Sequence, residues 1–241
     1  MCSSHDMNVD VNPVASEQCY LDALEVSLSR ERFARYIRAA CGDREKAWRL
    51  YAWNTAISAA FYGPLQGLEV AFRNAVHREL SRCYGDFWYD NVLSILDASA
   101  VERIQFCRAS LIRHGTDVAP SRLVASLSFG FWVSLLGKGG RSVAGGKCNY
   151  DMTLWRPALF RVFSRGRRSR TEMRNALDGL RLLRNRVAHH EPVFDRNLDD
   201  DSDSILQITG WICPYTQAWV RHHSRVPELL ADIRGSGAFL F

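Results

Sequence analysis

Lysine is scarce in this chain. Only Lys46, Lys138 and Lys147 occur, so 28 of the 31 basic residues are arginines. Arginine never loses its charge and presents a planar fork of donors. The bias therefore reflects either a skewed genome or a need to grip phosphate. Paired cysteines are also missing. The seven cysteines (Cys2, Cys19, Cys41, Cys83, Cys107, Cys148 and Cys213) include no Cys-x-x-Cys spacing. That excludes a zinc ribbon and offers no disulfide framework. Reduced, mostly buried thiols in a cytoplasmic protein are expected. No apolar run is long. The longest, 123–136, is interrupted by serines and Gly130 and falls short of the about 20 residues that cross a bilayer. It is read as a buried helix, with no membrane contact. The first fourteen residues lack a basic start followed by an apolar core, so they are not read as a signal peptide. Strand-like alternation and long-period repeats are absent too.

What is present is helical periodicity over a globular composition. Apolar residues make up 47% and charged residues 24%, which suits a folded core rather than a disordered chain. Residues 1–16 read as a loose polar tail and 17–241 as one all-helical domain. Helical spacing is expected from Leu21 to Ile37, ended by Cys41-Gly42. Asp43 caps a helix to Tyr62, Gly63-Pro64 breaks it, and Pro64 opens the next, which runs to about Tyr84. Further helices are expected near 97–113 and 121–136. The glycine-rich stretch 137–149 fails the phosphate-loop pattern at two positions, since Cys148 follows Gly146-Lys147 and Arg141 stands where a glycine is required. A flexible connector is expected there. A helix over 171–190 carries Met173, Leu177, Leu180, Leu183 and Val187 on one stripe, and Pro192 stops it. Asp199–Asp203 reads as an acidic turn, followed by helices over 205–222 and 227–233. Trp155, Trp211 and Trp219 are expected in the core, and His222-His223 at a helix end.

The densest chemistry lies at 183–192, Leu-Arg-Asn-Arg-Val-Ala-His-His-Glu-Pro. Asn185 and His189 are four apart, so the amide can orient the imidazole on one helix face. Arg184 lies five before His189, about 140° around the helix. One copy of this geometry does not close a site; a second copy brought opposite by dimerisation would. The negative end of the helix favours imidazolium, biasing a histidine toward general-acid work. Ten arginines lie between Arg156 and Arg186 against two acids, Glu172 and Asp178. Of these, Arg161, Arg165, Arg167, Arg168, Arg170 and Arg174 are the candidate contacts to an anionic polymer. Earlier, Glu69, Arg73 and His77 recur every fourth residue. They form either a solvated stripe with a Glu69–Arg73 ion pair or part of a pocket beside the 171–190 helix.

The spacing of Arg184 and His189 resembles the RxxxxH signature of HEPN nucleases. The flanking residues resemble the Abi-like (abortive infection) family that carries this domain. The resemblance covers 184–194, 154–159, 210–214 and 68–77. It implies an all-α, HEPN-like helical bundle with additional helices, frequent dimerisation, and RNA cleavage linked to phage defence or toxin activity. An antitoxin or a restraining RNA is then an expected partner. The expected reaction is attack of a ribose 2′-hydroxyl on the adjacent phosphate, needing no cofactor. Arg184 would stabilise the phosphorane, His189 would serve as acid or base, and Asn185 would orient it. His190 is a supporting candidate, and Glu191 a cap or an arginine partner. A zinc site from His77, His189, His190 and Glu191 is disfavoured, because adjacent helical histidines point about 100° apart. Two other classes remain open: a non-catalytic RNA binder, and a protein-interaction module whose polar motif is a hydrogen-bond network.

Overall fold

The computed structural model describes residues 13–90, 95–166 and 168–232, with side chains described from Cys19 onward. Among these residues the chain is all-α. Its β pairing there is a single bridge between Arg141 and Lys147. The described residues group into two compact units divided between Asn54 and Thr55.

In the first unit, α1 (Pro13–Leu28) and α2 (Arg30–Ala39) replace the single helix expected from the spacing. The break is Ser29, whose φ of 76° leaves the helical region and whose hydroxyl accepts from the Arg32 amide at 3.3 Å. A residue that caps the next helix cannot also continue the last one. α1 begins at Pro13, inside the stretch read as a polar tail, while residues 1–12 lie outside the described residues. Arg44 pairs with Asp22 and, at 2.6 Å, with Glu25. The Phe33 ring stacks on Trp48 at 4.2 Å.

Asp43 accepts from the Lys46 amide at 3.0 Å and starts α3 (Arg44–Tyr84). The expected break at Gly63-Pro64 does not occur; α3 runs unbroken through both for 41 residues. Proline deletes one helical hydrogen bond. Phe61, Leu65 and Leu68 beside it are all buried, and that burial offsets the lost bond so that the helix continues through the gap.

In the second unit Asp97 caps α4 (Ala98–Arg113). The helix expected over 121–136 is two, α5 (Pro120–Ser126) and α6 (Phe129–Ser134). Leu127 turns extended and Ser128 caps α6 through the Phe131 amide at 3.2 Å. The freed Leu127 carbonyl accepts from Trp132 Nε1 at 3.2 Å. The glycine-rich stretch is fastened, not loose. Gly140 N–H donates to Asp97 Oδ2 at 2.8 Å, and Ala98 N–H to the Arg141 carbonyl at 2.8 Å.

α7 (Arg170–Ala188) starts in a capping box between Ser169 and Glu172, and its whole predicted stripe from Met173 to Val187 is buried. The expected acidic turn is instead the first turn of α8 (Leu198–Ile212), where Asp199, Asp200 and Asp201 oppose the positive helix end. Pro214 then starts α9 (Pro214–His223), dividing the expected 205–222 helix, and α10 (Val226–Ala231) follows. Phe72 of α3 meets Phe129 at 6.2 Å and Phe163 at 5.9 Å. α7 packs against α6 and α8. Gly67 of α3 is a close approach: a Cβ there would stand 2.6 Å from Val220 of α9.

Two burial expectations fail. None of the described cysteines is buried; Cys19, Cys41 and Cys83 are exposed. Trp219 is 56% exposed, and Trp155 and Trp211 are half-buried.

Candidate functional site

α3 and α7 share a cleft of about 370 Å³. Tyr62, Leu65, Gln66, Glu69, Val70 and Arg73 line it from α3, and Arg184, Val187 and Ala188 from α7. The α3 residues follow the spacing of one helix face. Two guanidiniums face one carboxylate, so the lining carries one cation in excess.

Arg184 Nε donates to Glu69 Oε2 at 3.3 Å. The Arg184 side chain keeps 40% of its surface exposed and that of Glu69 17%, and a partly exposed pair of this kind contributes on the order of 1 kcal/mol. A multiply charged anion can therefore displace the carboxylate. Arg73 reaches the Ala125 carbonyl at 3.4 Å, while its Nε is buried with no acceptor. A buried donor left unpaired costs about 1–3 kcal/mol. The expected Glu69–Arg73 pair is not formed; Glu69 pairs with Arg184 across the cleft.

His77 is not part of this lining. Its Nδ1 accepts from Trp88 Nε1 at 3.0 Å, and the Ser81 hydroxyl lies 3.5 Å away. An indole N–H only donates, so Nδ1 is the unprotonated nitrogen. Burial pushes the His77 pKa down, partly opposed by Asp86. Of the 69/73/77 stripe, two members face the cleft and the third fastens the 3-10 turn Trp88–Asp90.

The end of α7 is built differently from the simple proline stop. His189 is the C-cap; its amide donates to the Asn185 carbonyl at 2.9 Å. His190 follows at φ 57°, in the left-handed region. Its amide donates to the Val187 carbonyl, and the Glu191 amide to the Arg186 carbonyl at 2.8 Å. These bonds make a Schellman ending with histidine where glycine is usual. His189, His190 and Glu191 are all exposed, one to three residues past Ala188 at the cleft. The Asn185 amide and His189 imidazole share no hydrogen bond among the described residues. Arg186 donates to Asp195 at 2.7 Å and to the Pro192 carbonyl, pinning the chain after the turn.

The arginine run divides by role. Arg161, Arg165, Arg168 and Arg174 are exposed. Arg168 lies 5.7 Å over the Trp211 ring and pairs with Glu172 at 3.3 Å. Arg161 bonds the Pro157 carbonyl and lies 4.7 Å over Phe160. Arg170 turns inward: it donates to the carbonyls of Leu136, at 2.8 Å, and Gly137, and keeps 16% of its side chain exposed. Arg167 lies outside the described residues.

Tyr62 and Gln66 were missed by sequence reasoning. The signal existed, since they sit seven and three residues before Glu69 on one face. Reading a break at Gly63-Pro64 cut Tyr62 off from that face. Among the described residues no group of three or more His, Cys, Asp or Glu side chains is placed to hold a metal ion, and no helix is long and apolar enough to cross a membrane. Comparison with protein-family models, with curated proteins and with solved structures finds no match.

Proposed function

We propose that this chain is an endoribonuclease of the HEPN type and the Abi-like family, acting as a toxin or defence effector. One observation carries the reading: Arg184 stands in a net-cationic cleft whose edge leads directly into the His189-His190 turn. RNA provides its own nucleophile, so the protein need only bind phosphate and move protons. Arg184, released from Glu69, stabilises the phosphorane formed by 2′-hydroxyl attack, and Arg73 adds a second donor. Glu69 is the orienting partner of Arg184 in the free protein. His189 transfers protons, with His190 beside it. The products are a 2′,3′-cyclic phosphate and a 5′-hydroxyl. His189 lies beyond the cleft lining of its own chain, which supports a homodimer in which facing α7 ends complete the site. Exposed Arg161, Arg165, Arg168 and Arg174 hold the strand. An antitoxin or a folded RNA covering the cleft would restrain the activity.

The test is cleavage of RNA in EDTA by wild-type, Arg184→Ala and His189→Ala proteins, with analysis of the product ends. Loss of about 100-fold or more in each variant, with cyclic-phosphate ends from the wild type, is the expected result. Undiminished cleavage by His189→Ala removes His189 from the chemistry. A second reading, non-catalytic RNA binding, draws on the exposed arginines Arg161, Arg165, Arg168 and Arg174. It predicts RNA affinity without any cleavage.

A further inference from the structure

Two cleft residues have no part in the phosphate chemistry. Tyr62 and Gln66 are four apart on α3 and line the same cleft as Arg184. Tyr62 keeps 65% of its surface exposed. Gln66 beside it offers both a donor and an acceptor. Leu65, Val70 and Val187 add apolar wall to the same cleft. Along the α3 axis, Arg73 lies seven residues beyond Gln66, about 10 Å at 1.5 Å per residue. Along α3 the cleft thus runs from an aromatic face and an amide, Tyr62 and Gln66, past Glu69 with its partner Arg184, to the guanidinium of Arg73. Its volume of about 370 Å³ lies in the range of sites for small ligands.

We propose that Tyr62 and Gln66 form a nucleobase subsite, so that the cleft takes one nucleoside monophosphate unit of a single strand. The base stacks on the Tyr62 ring and its edge meets the Gln66 amide. Its phosphate lies on Arg184 and Arg73. This assignment rests on reading the cleft as a phosphate site. A phenol ring accepts any base, because every base has a π face, while the amide discriminates among base edges. The subsite therefore sets which nucleotide precedes the cut, and the arginines set only that a cut occurs.

The probes are the four nucleoside 3′-monophosphates and inorganic phosphate, titrated calorimetrically at low salt into wild-type, Tyr62→Ala, Tyr62→Phe, Gln66→Ala and Arg184→Ala proteins. Nucleotides should bind the wild type more tightly than phosphate does. Tyr62→Ala should lose about 10-fold in nucleotide affinity and nothing in phosphate affinity. Tyr62→Phe should retain both, and Gln66→Ala should level the preference among bases. Arg184→Ala should lose nucleotides and phosphate together. Equal nucleotide affinity in wild type and Tyr62→Ala overturns the subsite, as does nucleotide binding no tighter than phosphate. If Tyr62-dependent binding is found but RNA stays uncut, the subsite stands and the nuclease reading falls. Cleavage with unchanged base preference in both variants does the reverse.

Discussion

At the scale of single residues, two histidines carry measurable consequences. His190 occupies a left-handed position at the end of α7, where a β-carbon costs about 1 kcal/mol or more. Comparing His190→Gly with His190→Ala isolates that cost, because both variants lack the imidazole. Denaturant titration should find the glycine variant more stable by about 1 kcal/mol; equal stabilities would mean the turn relaxes without strain. His77 behaves oppositely. Burial lowers its pKa in the folded chain, so the unfolded chain takes up the proton first as pH falls. Its stabilising effect is complete above the unfolded value of about 6.5 and is lost as pH drops through the lower folded value. The denaturation midpoint should fall on acidification below about pH 6.5. His77→Asn, which keeps an acceptor for Trp88, should flatten that part of the profile. An unchanged slope would place the acid sensitivity elsewhere.

At the scale of elements, α3 and α7 differ in how openly the sequence declares them. α7 combines a capping box with an uninterrupted buried stripe, and local chemistry and tertiary packing agree on it. α3 contains a proline that local rules read as a stop, yet it continues because its flanking side chains are buried. The same helix needs Gly67 where Val220 of α9 approaches. Alanine improves helix propensity by about 1 kcal/mol over glycine, but overpacking costs about 1–3 kcal/mol. Gly67→Ala should therefore destabilise the protein on balance, by about 1 kcal/mol. Adding Val220→Ala should restore more than the two separate effects predict, a coupling measurable by a double-mutant cycle. Simple additivity would argue that α9 yields to the methyl group.

Across the whole molecule, the arginine run is not one surface. Arg161, Arg165, Arg168 and Arg174 are exposed, whereas Arg170 serves the backbone of Leu136 and Gly137. Replacing the four exposed arginines by glutamine should weaken RNA binding and flatten its dependence on salt, by up to about 0.7 in log–log slope for each contact to a single strand. Arg170→Gln should leave that slope unchanged and lower thermal stability instead. A drop in slope from Arg170→Gln would mean that its guanidinium reaches the strand.

The sequence by itself determined the all-α class and the α7 stripe. Each follows from spacing along one chain, where 3.6 residues per turn leaves little choice. It also drew attention to Arg184 and His189, because an arginine, an amide, two imidazoles and a carboxylate rarely crowd into one helix end. Tertiary structure alone decided that Glu69 meets Arg184, that His77 serves Trp88, and that Tyr62 joins the cleft. These choices depend on burial of Phe61, Leu65 and Leu68 around Pro64 and on the approach of helices distant in sequence. A local rule prices the proline and cannot see the core that offsets it.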